Sequence, residues 1–519
     1  MISWRYPLAV LFSCRHLASL CLLWVVVVPT EDMLTNSSLH TPHRRATPLL
    51  WIAVSIVLVA ALAYGFSLGH YPTFYIDDAF FAYPAIKASL GGSLTYQVSS
   101  SAPYAQELWA YHGPLFPHIL TVLFRIFGFS ATASRLPNFV GGWLAALVMV
   151  VFLWRRGYTF ACLVLAVLWC GDRAPQEIMY GRMDGLALLL LVLNFGLLTK
   201  CLERGSTVFA CAAGLLYGLT SLLNPLCAVF GLTSMLLLIL MRRIRETIGC
   251  AIGLLLNIPI LFGLWEFHVH DGIAQFLWHA HRLQNETALH SFIHMVVVLR
   301  WSRYWFLLMV ICAVWLIAAT GRRFVRDGIQ SQESRPEFVL AAAFTLSALP
   351  IIFRASTHPY YIVYFSMWPM IALALLFQTA WRKYRVIAIT IILVWCSSAA
   401  WNGLRLREAV KYYRGLNNDA LVSIINTRIP ADQEIVATPE LYAIPLEANH
   451  SNFDLTAWFP ERQDICHVCY LLMTEQEYKD ASYVARPNMA KRSLLYSGPA
   501  FPGTGPLQYP IVVLSPESP

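Results

Sequence analysis

Charged side chains are scarce in this sequence of 519 residues: 13% are Asp, Glu, Lys or Arg, while 58% are hydrophobic. A soluble chain of this length needs far more polar surface, so the composition excludes an ordinary water-soluble protein and predicts an integral membrane protein. The net charge of +8 does not indicate nucleic-acid binding. The basic residues fall in short clusters between apolar runs, which is typical of cytoplasmic loops, and no nucleic-acid partner is expected.

Cysteines with the spacing of a metal site are also lacking. Most of the twelve cysteines lie inside apolar segments. The one close pair, Cys466 and Cys469, has no second pair for zinc and no histidine directly after the second cysteine for haem, so it is interpreted as a disulfide or as two idle thiols. No cofactor is required and no metal-binding residues are predicted, with a divalent ion held by imidazole and carboxylate groups left as an alternative.

Eleven apolar runs are long enough to cross a bilayer as helices. A further run at 114–129 is short and carries His118 and Arg125, so it is predicted to lie at the membrane surface or to dip into it. The run from Leu8 to Val28 resembles a signal sequence or anchor, but Met33 opens a more ordinary beginning. Residues 1–32 are therefore predicted to be dispensable or to come from a misplaced start codon. The eleven runs are 48–69, 136–154, 158–175, 184–199, 206–223, 225–241, 247–267, 302–320, 337–353, 359–379 and 386–402.

Basic clusters test this count, because cytoplasmic loops attract Lys and Arg. With the chain starting inside, every second loop is cytoplasmic, and the clusters at 44–45, 155–156, 200–204, 242–245, 322–326 and 382–385 all fall on that side. The tail then lies outside. It contains a helix-like segment, NNDALVSIINTRI, and a strand-like segment, QEIVATP.

The predicted fold is therefore an all-α polytopic membrane protein with about eleven transmembrane helices and a small extracytoplasmic α/β domain. Its expected divisions are an N-terminal segment at 1–47, a transmembrane domain at 48–402 and the C-terminal domain at 403–519.

Acids and bases collect at the outer ends of the predicted spans, where a plain loop would not need them. Ionisable groups are expensive within a bilayer and are usually kept for function or for pairing, so the set favours a site over scattered interfacial charges. Its members are Asp77, Asp78, Glu107, His112, Arg135, Asp172, Arg173, Glu177, Arg182, Asp184, His279, His281, Arg282, Arg354 and His358.

The order and spacing of these segments over residues 48–402 resemble the polytopic GT-C glycosyltransferases that use polyprenyl-phosphate sugars, which include protein O-mannosyltransferases and lipid A aminoarabinose transferases. YIDDAFFAYPAIKASLGG resembles the acidic motif of that family's first external loop, and YHGPLFPHIL the segment after it. The later matching segments are SRLPNFVGG, YGRMDGLALLL, QFLWHAHRL and the tyrosine-rich turn STHPYYIVYFSMWP. The family often has lysine where this chain has His112 and Asn224.

The resemblance implies an enzyme of the cell membrane, a bacterial inner membrane being expected. It would transfer a sugar, with inversion, from a polyprenyl-phosphate donor to a hydroxyl of a glycan, lipid or protein acceptor on the extracytoplasmic side. The implied catalytic residues are Asp77 and Asp78, and the implied substrate-binding residues are His112, Arg135, Arg182, Asp184, His281, His358 and Tyr361.

The chemistry explains why such a reaction uses these residue types. A base must take the acceptor proton, for which Asp77 is the candidate, and cations must hold the charge that grows on the departing phosphate. Asp78 is expected to orient a neighbour or to be a solvated acid at a helix start. Arg135 and Arg182 suit phosphate because guanidinium offers a planar fork of donors, with membrane-interface snorkelling as the alternative for Arg135.

The remaining candidates have weaker chemical arguments. Asp184 fits helix capping nearly as well as catalysis. His112 and His281 could donate to phosphate or hold a metal ion. A transporter or flippase is the alternative function, although neither an inverted repeat nor a matched pair of Gly/Pro-broken helices is evident, and the polar groups collect at one face.

Overall fold

The computed structural model describes residues 47–69, 76–96, 102–282, 303–327, 336–354, 359–380, 385–414, 418–438, 453–455, 468–475, 491–499 and 510–517, with a few single positions between them. His358, Cys466 and all but Thr47 of the predicted N-terminal segment lie outside these residues.

Helices account for most of the described chain as far as residue 428. In order they are α1 (Thr47–Gly65), α2 (Ile76–Ser89), α3 (Leu115–Phe127), α4 (Ala131–Arg155), α5 (Thr159–Gly171), α6 (Ala174–Glu177), α7 (Asp184–Arg204), α8 (Thr207–Leu223), α9 (Ala228–Leu240), α10 (Ile244–Leu255), α11 (Ile258–Leu264), α12 (Val269–Arg282), α13 (Arg303–Asp327), α14 (Pro336–Arg354), α15 (Ile362–Ala380), α16 (Arg385–Arg414) and α17 (Asn418–Arg428). Short 3₁₀ turns, Pro225–Cys227 and Pro359–Tyr361, precede α9 and α15.

Each of the eleven predicted spans falls on a helix or a pair of consecutive helices. Among the described residues, five stretches are long and apolar enough to cross a membrane: Pro48–Gly65, Ala131–Arg155, Asp184–Arg204, Ile244–Leu264 and Phe306–Arg326. Shorter apolar helices occupy Leu115–Phe127, Thr159–Gly171, Thr207–Leu223, Pro225–Leu240, Pro336–Ile352 and Ile362–Gln378. The helical multi-pass architecture is confirmed, and the number of eleven spans stays a prediction.

Glycines let α8 and α10 approach at backbone distance. A Cβ atom on Gly214 would overlap the carbonyl oxygen of Cys250, and one on Gly253 would overlap that of Cys211. Without a hydrophobic force between helices in lipid, small residues of this kind drive close packing. Asn257, at the turn between α10 and α11, donates its side-chain amide to the Leu215 carbonyl of α8 at 3.1 Å.

A second close crossing, between α4 and α7, positions the candidate site. A Cβ on Gly141 would lie 2.5 Å from the Cα of Leu186. Asn138 of α4 accepts from the backbone N–H of Gly185 and donates to the carbonyl of Tyr180 at 2.8 Å. The amide side chain therefore satisfies the first turn of α7 and fixes the segment just before it.

Polar contacts also join the helices at the end of the bundle opposite to the start of α7. Arg156, which follows α4, pairs with Glu203 near the end of α7 and with the buried Glu337 at the start of α14. Gln378 of α15 accepts from the N–H groups of Phe160 and Ala161, at 2.8 and 3.1 Å, and so caps the start of α5. These contacts satisfy groups that lipid cannot.

Helix α16 continues to Arg414, past the predicted domain boundary at residue 403. Three of its side chains bond the last carbonyls of α5: Trp395 donates to Leu168 at 3.3 Å, while Ser398 and Asn402 donate to Gly171 at 3.1 and 3.2 Å. Because helix ends leave carbonyls without partners, these contacts stabilise α5. The division at 402/403 stays a prediction.

Beyond α17 the described tail forms a five-stranded sheet of β1 (Ile435–Ala437), β2 (Phe453–Leu455), β3 (Tyr470–Thr474), β4 (Arg492–Pro499) and β5 (Pro510–Glu517). The strand order is β2-β1-β3-β5-β4, with β2, β1 and β3 parallel and β5 antiparallel to both β3 and β4. The predicted helix and first strand are confirmed. One sheet face, including Ile435, Ala437, Leu472, Ile511 and Val513, joins the main hydrophobic core together with Ile425 and Ile429 of α17.

Replacing Gly214 by alanine is expected to lower the midpoint of thermal unfolding in detergent. The added methyl group would collide with the backbone of α10, and overpacking of this kind costs about 1–3 kcal/mol. Gly196→Ala in α7 is the matched control, because the nearest atom to its Cβ lies 3.9 Å away, on Phe152. Equal midpoints for the two variants would contradict the close crossing of α8 and α10.

Candidate active site

Asp77 and Asp78 lie in the first turn of α2. Neighbouring residues on a helix point about 100° apart, and the two acids accordingly meet different arginines. Asp77 accepts from Nη1 of Arg182 at 2.6 Å, and Asp78 accepts from Nη2 of Arg135 at 3.0 Å. The Asp77 side chain keeps 20% of its exposure, whereas that of Asp78 is fully buried. Asp77 is thus the one of the two that an incoming molecule can reach.

The Arg135–Asp78 pair is fully buried and joins four segments of the chain. Arg135 also donates to the carbonyl of Leu68 at 3.0 Å, and Asp78 accepts from the backbone N–H of Gly181. A Cβ on residue 181 would lie 2.7 Å from Oδ1 of Asp78, so a larger residue there would displace that buried carboxylate. This geometry favours a structural role for Arg135 over the predicted grip on phosphate.

Arg182 lies between two carboxylates. Its Nη1 donates to Asp77 as described, and its Nε donates to Oδ2 of Asp184 at 2.7 Å. Its carbon Cζ is 3.4 Å from the ring centroid of Tyr360 and 5.6 Å from that of Tyr361, so the guanidinium lies against the tyrosine turn that precedes α15. Within the described part of the chain Nη2 has no acceptor of ordinary hydrogen-bond geometry, while the Tyr361 hydroxyl lies close to the guanidinium and the Arg182 side chain is only 2% exposed.

Asp184 is held by neutral donors on its other oxygen. Its Oδ1 accepts from the hydroxyl of Tyr364 at 2.7 Å, with the side-chain amide of Asn224 at 3.5 Å. Asn224 donates to the Tyr364 hydroxyl oxygen at 2.9 Å. All three residues are fully buried. The sequence analysis did not predict Tyr364 or Asn224 as site residues. The signal that could have indicated Tyr364 is a polar side chain within the apolar run of α15.

Two histidines face each other beside these groups. The rings of His112 and His279 are 5.1 Å apart, and the His279 ring stacks on Phe80 at 5.7 Å. The pKa of His112 is held well below its ordinary value by burial, by His279 and by Arg182, in that order. The predicted His281 is exposed on α12. Of the histidines in this helix, it is therefore His279 that contacts His112.

Gln275 fixes α12 against the first loop. Its side chain is fully buried, accepts from the N–H of Ala110, and donates to the carbonyls of Pro103 and Leu108 at 3.0 and 3.2 Å. His279 follows one helical turn later on the same face. The position of His279 therefore depends on this amide, which no pattern in the sequence indicates.

The described residues of the site offer few ligands for a metal ion. Within the described residues, no group of three or more His, Cys, Asp or Glu side chains is placed to hold a metal. The two facing imidazoles, with an arginine beside them, form a basic rather than an acidic environment.

Comparison with known proteins identifies the fold. No family model matches the sequence, and no curated protein matches it. Among solved structures, ArnT from Cupriavidus metallidurans bound to undecaprenyl phosphate aligns with a TM-score of 0.55 at 14% identity, covering 89% of this chain and 97% of ArnT. Apo ArnT gives 0.56 with the same identity and coverage. An Archaeoglobus fulgidus oligosaccharyltransferase in complex with Zn and sulfate gives a TM-score of 0.49 at 10% identity, covering 89% of this chain and 73% of its own.

ArnT is a lipid A aminoarabinose transferase of the GT-C class. The GT-C fold that the sequence resemblance implied is therefore confirmed for this chain. At 14% identity the likeness is one of fold.

Replacing Arg135 by alanine is expected to destabilise the protein by about 3–5 kcal/mol, because the buried carboxylate of Asp78 loses its cationic partner. Replacing both partners with apolar residues, Arg135→Met with Asp78→Leu, should restore most of the lost stability. Lys200→Ala serves as the control, since its pair with Glu203 is exposed. Thermal unfolding in detergent measures all three. A stable Arg135→Ala variant that had lost only donor binding would restore the phosphate-ligand role.

Proposed function

We propose that this protein is a membrane glycosyltransferase that moves a sugar from a polyprenyl-phosphate donor to an acceptor hydroxyl on the extracytoplasmic side, with inversion. The observation that carries the proposal is the arrangement at Arg182. A reachable carboxylate, Asp77, lies against a buried guanidinium whose Nη2 has hydrogen-bonding capacity to spare. A base and an anion-binding group are thus within one hydrogen bond of each other.

Asp77 acts as the base in a single displacement. It accepts the proton of the acceptor hydroxyl while that oxygen forms a bond to the anomeric carbon, and the bond from that carbon to the phosphate oxygen breaks. The electron pair leaves with the phosphate, which departs as polyprenyl phosphate. Attack opposite the leaving group inverts the anomeric centre. Arg182 holds Asp77 in place, and orientation of this kind contributes more than the modest basicity of a carboxylate.

Arg182 and His112 hold the donor phosphate in this proposal. Guanidinium donors suit phosphate oxygens and retain their charge, so Nη2 supplies a charge-assisted hydrogen bond as negative charge grows on the leaving group. His112 lies near enough to Arg182 for the charge of the guanidinium to help lower the pKa of the imidazole. His279 orients the His112 ring, while Tyr361 lines the same turn as Tyr360. Asp78 with Arg135 supports α2, and His281 stays a candidate for contact with the outer part of the substrate.

The undecaprenyl phosphate bound to ArnT supports the polyprenyl carrier. The acceptor class, glycan, lipid or protein, stays open. A bacterial inner membrane and an extracytoplasmic tail remain expectations from the basic clusters and the resemblance. A divalent metal is left as an alternative aid to phosphate binding rather than a requirement.

Replacing Asp77 by asparagine is expected to lower transfer by roughly 10²- to 10⁴-fold while donor binding survives. Asparagine keeps the shape and still accepts from Arg182, but it cannot take the acceptor proton. The measurement is sugar transfer from a polyprenyl-phosphate sugar by purified wild type and variant in detergent. Asp271→Asn on α12 is the control, because that acid contacts His268 and His270 rather than the site.

Two outcomes of that assay would count against the proposal. Full transfer by a folded Asp77→Asn variant would remove Asp77 as the base. Wild type that moves the lipid or a solute across vesicles while leaving the sugar–phosphate bond intact would instead support the transporter or flippase.

Donor affinity is expected to rise as the pH falls. In the free protein the pKa of His112 lies below its ordinary value, so the ring is neutral at pH 7. An anionic phosphate beside it raises that pKa, so binding takes up a proton and weakens as the pH rises from the lower pKa to the higher one. Equilibrium binding of polyprenyl phosphate between about pH 5 and 8 measures the effect.

The variant that isolates this effect is His112→Lys. Lysine stays charged over most of this range, so its binding curve should be flatter than that of wild type. Identical pH dependence in the two proteins would assign the titration to another group.

A further inference from the structure

Gln275 of α12 uses its whole amide on one stretch of the first loop. Its Oε1 accepts from the backbone N–H of Ala110, while Nε2 donates to the carbonyls of Pro103 and Leu108, at 3.0 and 3.2 Å. A side-chain amide has two N–H donors, so both are engaged here. Since the residue is fully buried, water cannot replace these contacts, and an apolar side chain would leave three backbone groups without a partner.

A small apolar cluster joins the same two segments. Its buried members are Leu108, Ala110 and Trp265, and Leu261 and Val269 pack against them. It is separate from the main hydrophobic core. Because burial of apolar surface is non-directional, this cluster holds α12 near the loop without fixing its rotation. The directional contacts of the Gln275 amide therefore set how α12 is turned on the loop.

That rotation decides where His279 lies. His279 follows Gln275 by four residues and so shares its face of α12. Its ring stacks on Phe80 at 5.7 Å and lies 5.1 Å from the ring of His112. A turn of α12 about its own axis would move the amide and the imidazole together, and the ring would leave His112.

The surroundings of His112 exclude water and supply positive charge. Phe81 and Trp109 contact its ring with centroids 5.3 and 6.5 Å away, and neither carries a charge. In the described part of the chain, the titratable or charged groups that act on it are His279 from α12 and Arg182 from the segment before α7. Burial lowers the pKa of His112 most, and these two groups lower it further. Helix α12 thus supplies one of the two groups and part of the cover.

We propose that Gln275 is a positioning residue of the phosphate site: by fastening α12 to the first loop, it keeps the His279 ring against His112 and water away from that imidazole. The His112 ring then stays neutral at pH 7 until an anion reaches it. Gln275 itself contacts the backbone of the loop rather than the base or the donor. The consequence for donor binding rests on the proposed function of His112, whereas the protonation of His112 is measurable without a donor.

The first test replaces the amide by an apolar side chain of similar length. Gln275→Met removes the three hydrogen bonds, so α12 turns on the loop and His112 gains water and loses its neighbour. The pKa of His112 should rise toward its ordinary value of about 6.5. NMR titration of isotope-labelled histidine in purified, donor-free protein in detergent measures this pKa, and the spectrum of His112→Gln identifies the signal.

Gln378→Met is the matched control. Gln378 also accepts from two backbone N–H groups, those of Phe160 and Ala161, but it does so at the start of α5, at the other end of the bundle. The substitution makes the same chemical change and costs thermal stability without touching α12. The pKa of His112 should keep its wild-type value. Equal shifts in the two variants would overturn the inference, because general loosening of the fold would then explain both.

A double-mutant cycle tests whether Gln275 acts through His279. In a His279→Ala background the ring that Gln275 positions is already missing. Gln275→Met should therefore raise the pKa of His112 by less than about half of the rise that it causes in the wild type. The full rise in both backgrounds would overturn the inference, since the two residues would then act independently.

A milder variant covers the case in which Gln275→Met does not fold. Gln275→Asn keeps the amide but is one methylene shorter, so it cannot reach all three backbone groups, and the pKa of His112 should rise by a smaller amount. An unchanged pKa in either folded variant would refute the positioning role.

Binding of polyprenyl phosphate separates this inference from the proposed function. Affinity is expected to fall only above the pKa of His112 in the free protein, so in Gln275→Met the fall should begin at a higher pH than in wild type. A raised pKa with no change in the pH at which affinity begins to fall would refute His112 as a phosphate ligand. The positioning role of Gln275 would still stand, and the two failures are thus distinguishable.

Discussion

The buried guanidinium of Arg182 is the group around which this site is arranged. A charge removed from water must be neutralised by partners of opposite sign with good geometry. Asp77 comes from α2 and Asp184 from the start of α7, while Tyr360 covers the guanidinium at 3.4 Å from the α15 side. Each of these elements has its position fixed relative to the others because each contributes a contact to the same cation.

Close helix packing makes that convergence possible. Gly141 and Gly185 allow α4 and α7 to approach at backbone distance, and Asn138 then satisfies the first turn of α7. Gly181 brings the preceding loop against Asp78 in the same way. Larger residues at these positions would separate the elements by more than a hydrogen bond can span. The glycines are thus as necessary to the electrostatics of the site as the charged side chains.

The sequence predicted the helical spans, the segments that meet at the site and several of the side chains. Asp77, Arg182 and Asp184 were predictable because acids and bases at span ends have few purely structural explanations. Arg135 fitted the same pattern equally well, and only the buried contact with Asp78 distinguishes it. Residue type alone does not reveal whether an arginine already has its partner.

Other parts of the site required the three-dimensional arrangement. His281 and His279 are two residues apart, so they point to different sides of α12, and which side faces the first loop depends on Gln275. Asn224 and Tyr364 meet across 140 positions of sequence. No local pattern encodes such a pair. Hydrogen-bond networks between distant helices are therefore the part of the site that sequence reasoning was least able to recover.

Charge balance connects the base to the leaving group in the proposed reaction. Lysines common in the resembled family are replaced here by His112 and Asn224, and Arg135 is neutralised by Asp78, so within the described site Arg182 is the permanent cation left to meet a phosphate. Before reaction its charge is shared by Asp77 and Asp184. When Asp77 accepts the acceptor proton it becomes neutral, and its hold on Arg182 weakens. At the same moment negative charge grows on the departing phosphate. The guanidinium, now held less strongly by Asp77, can stabilise that charge.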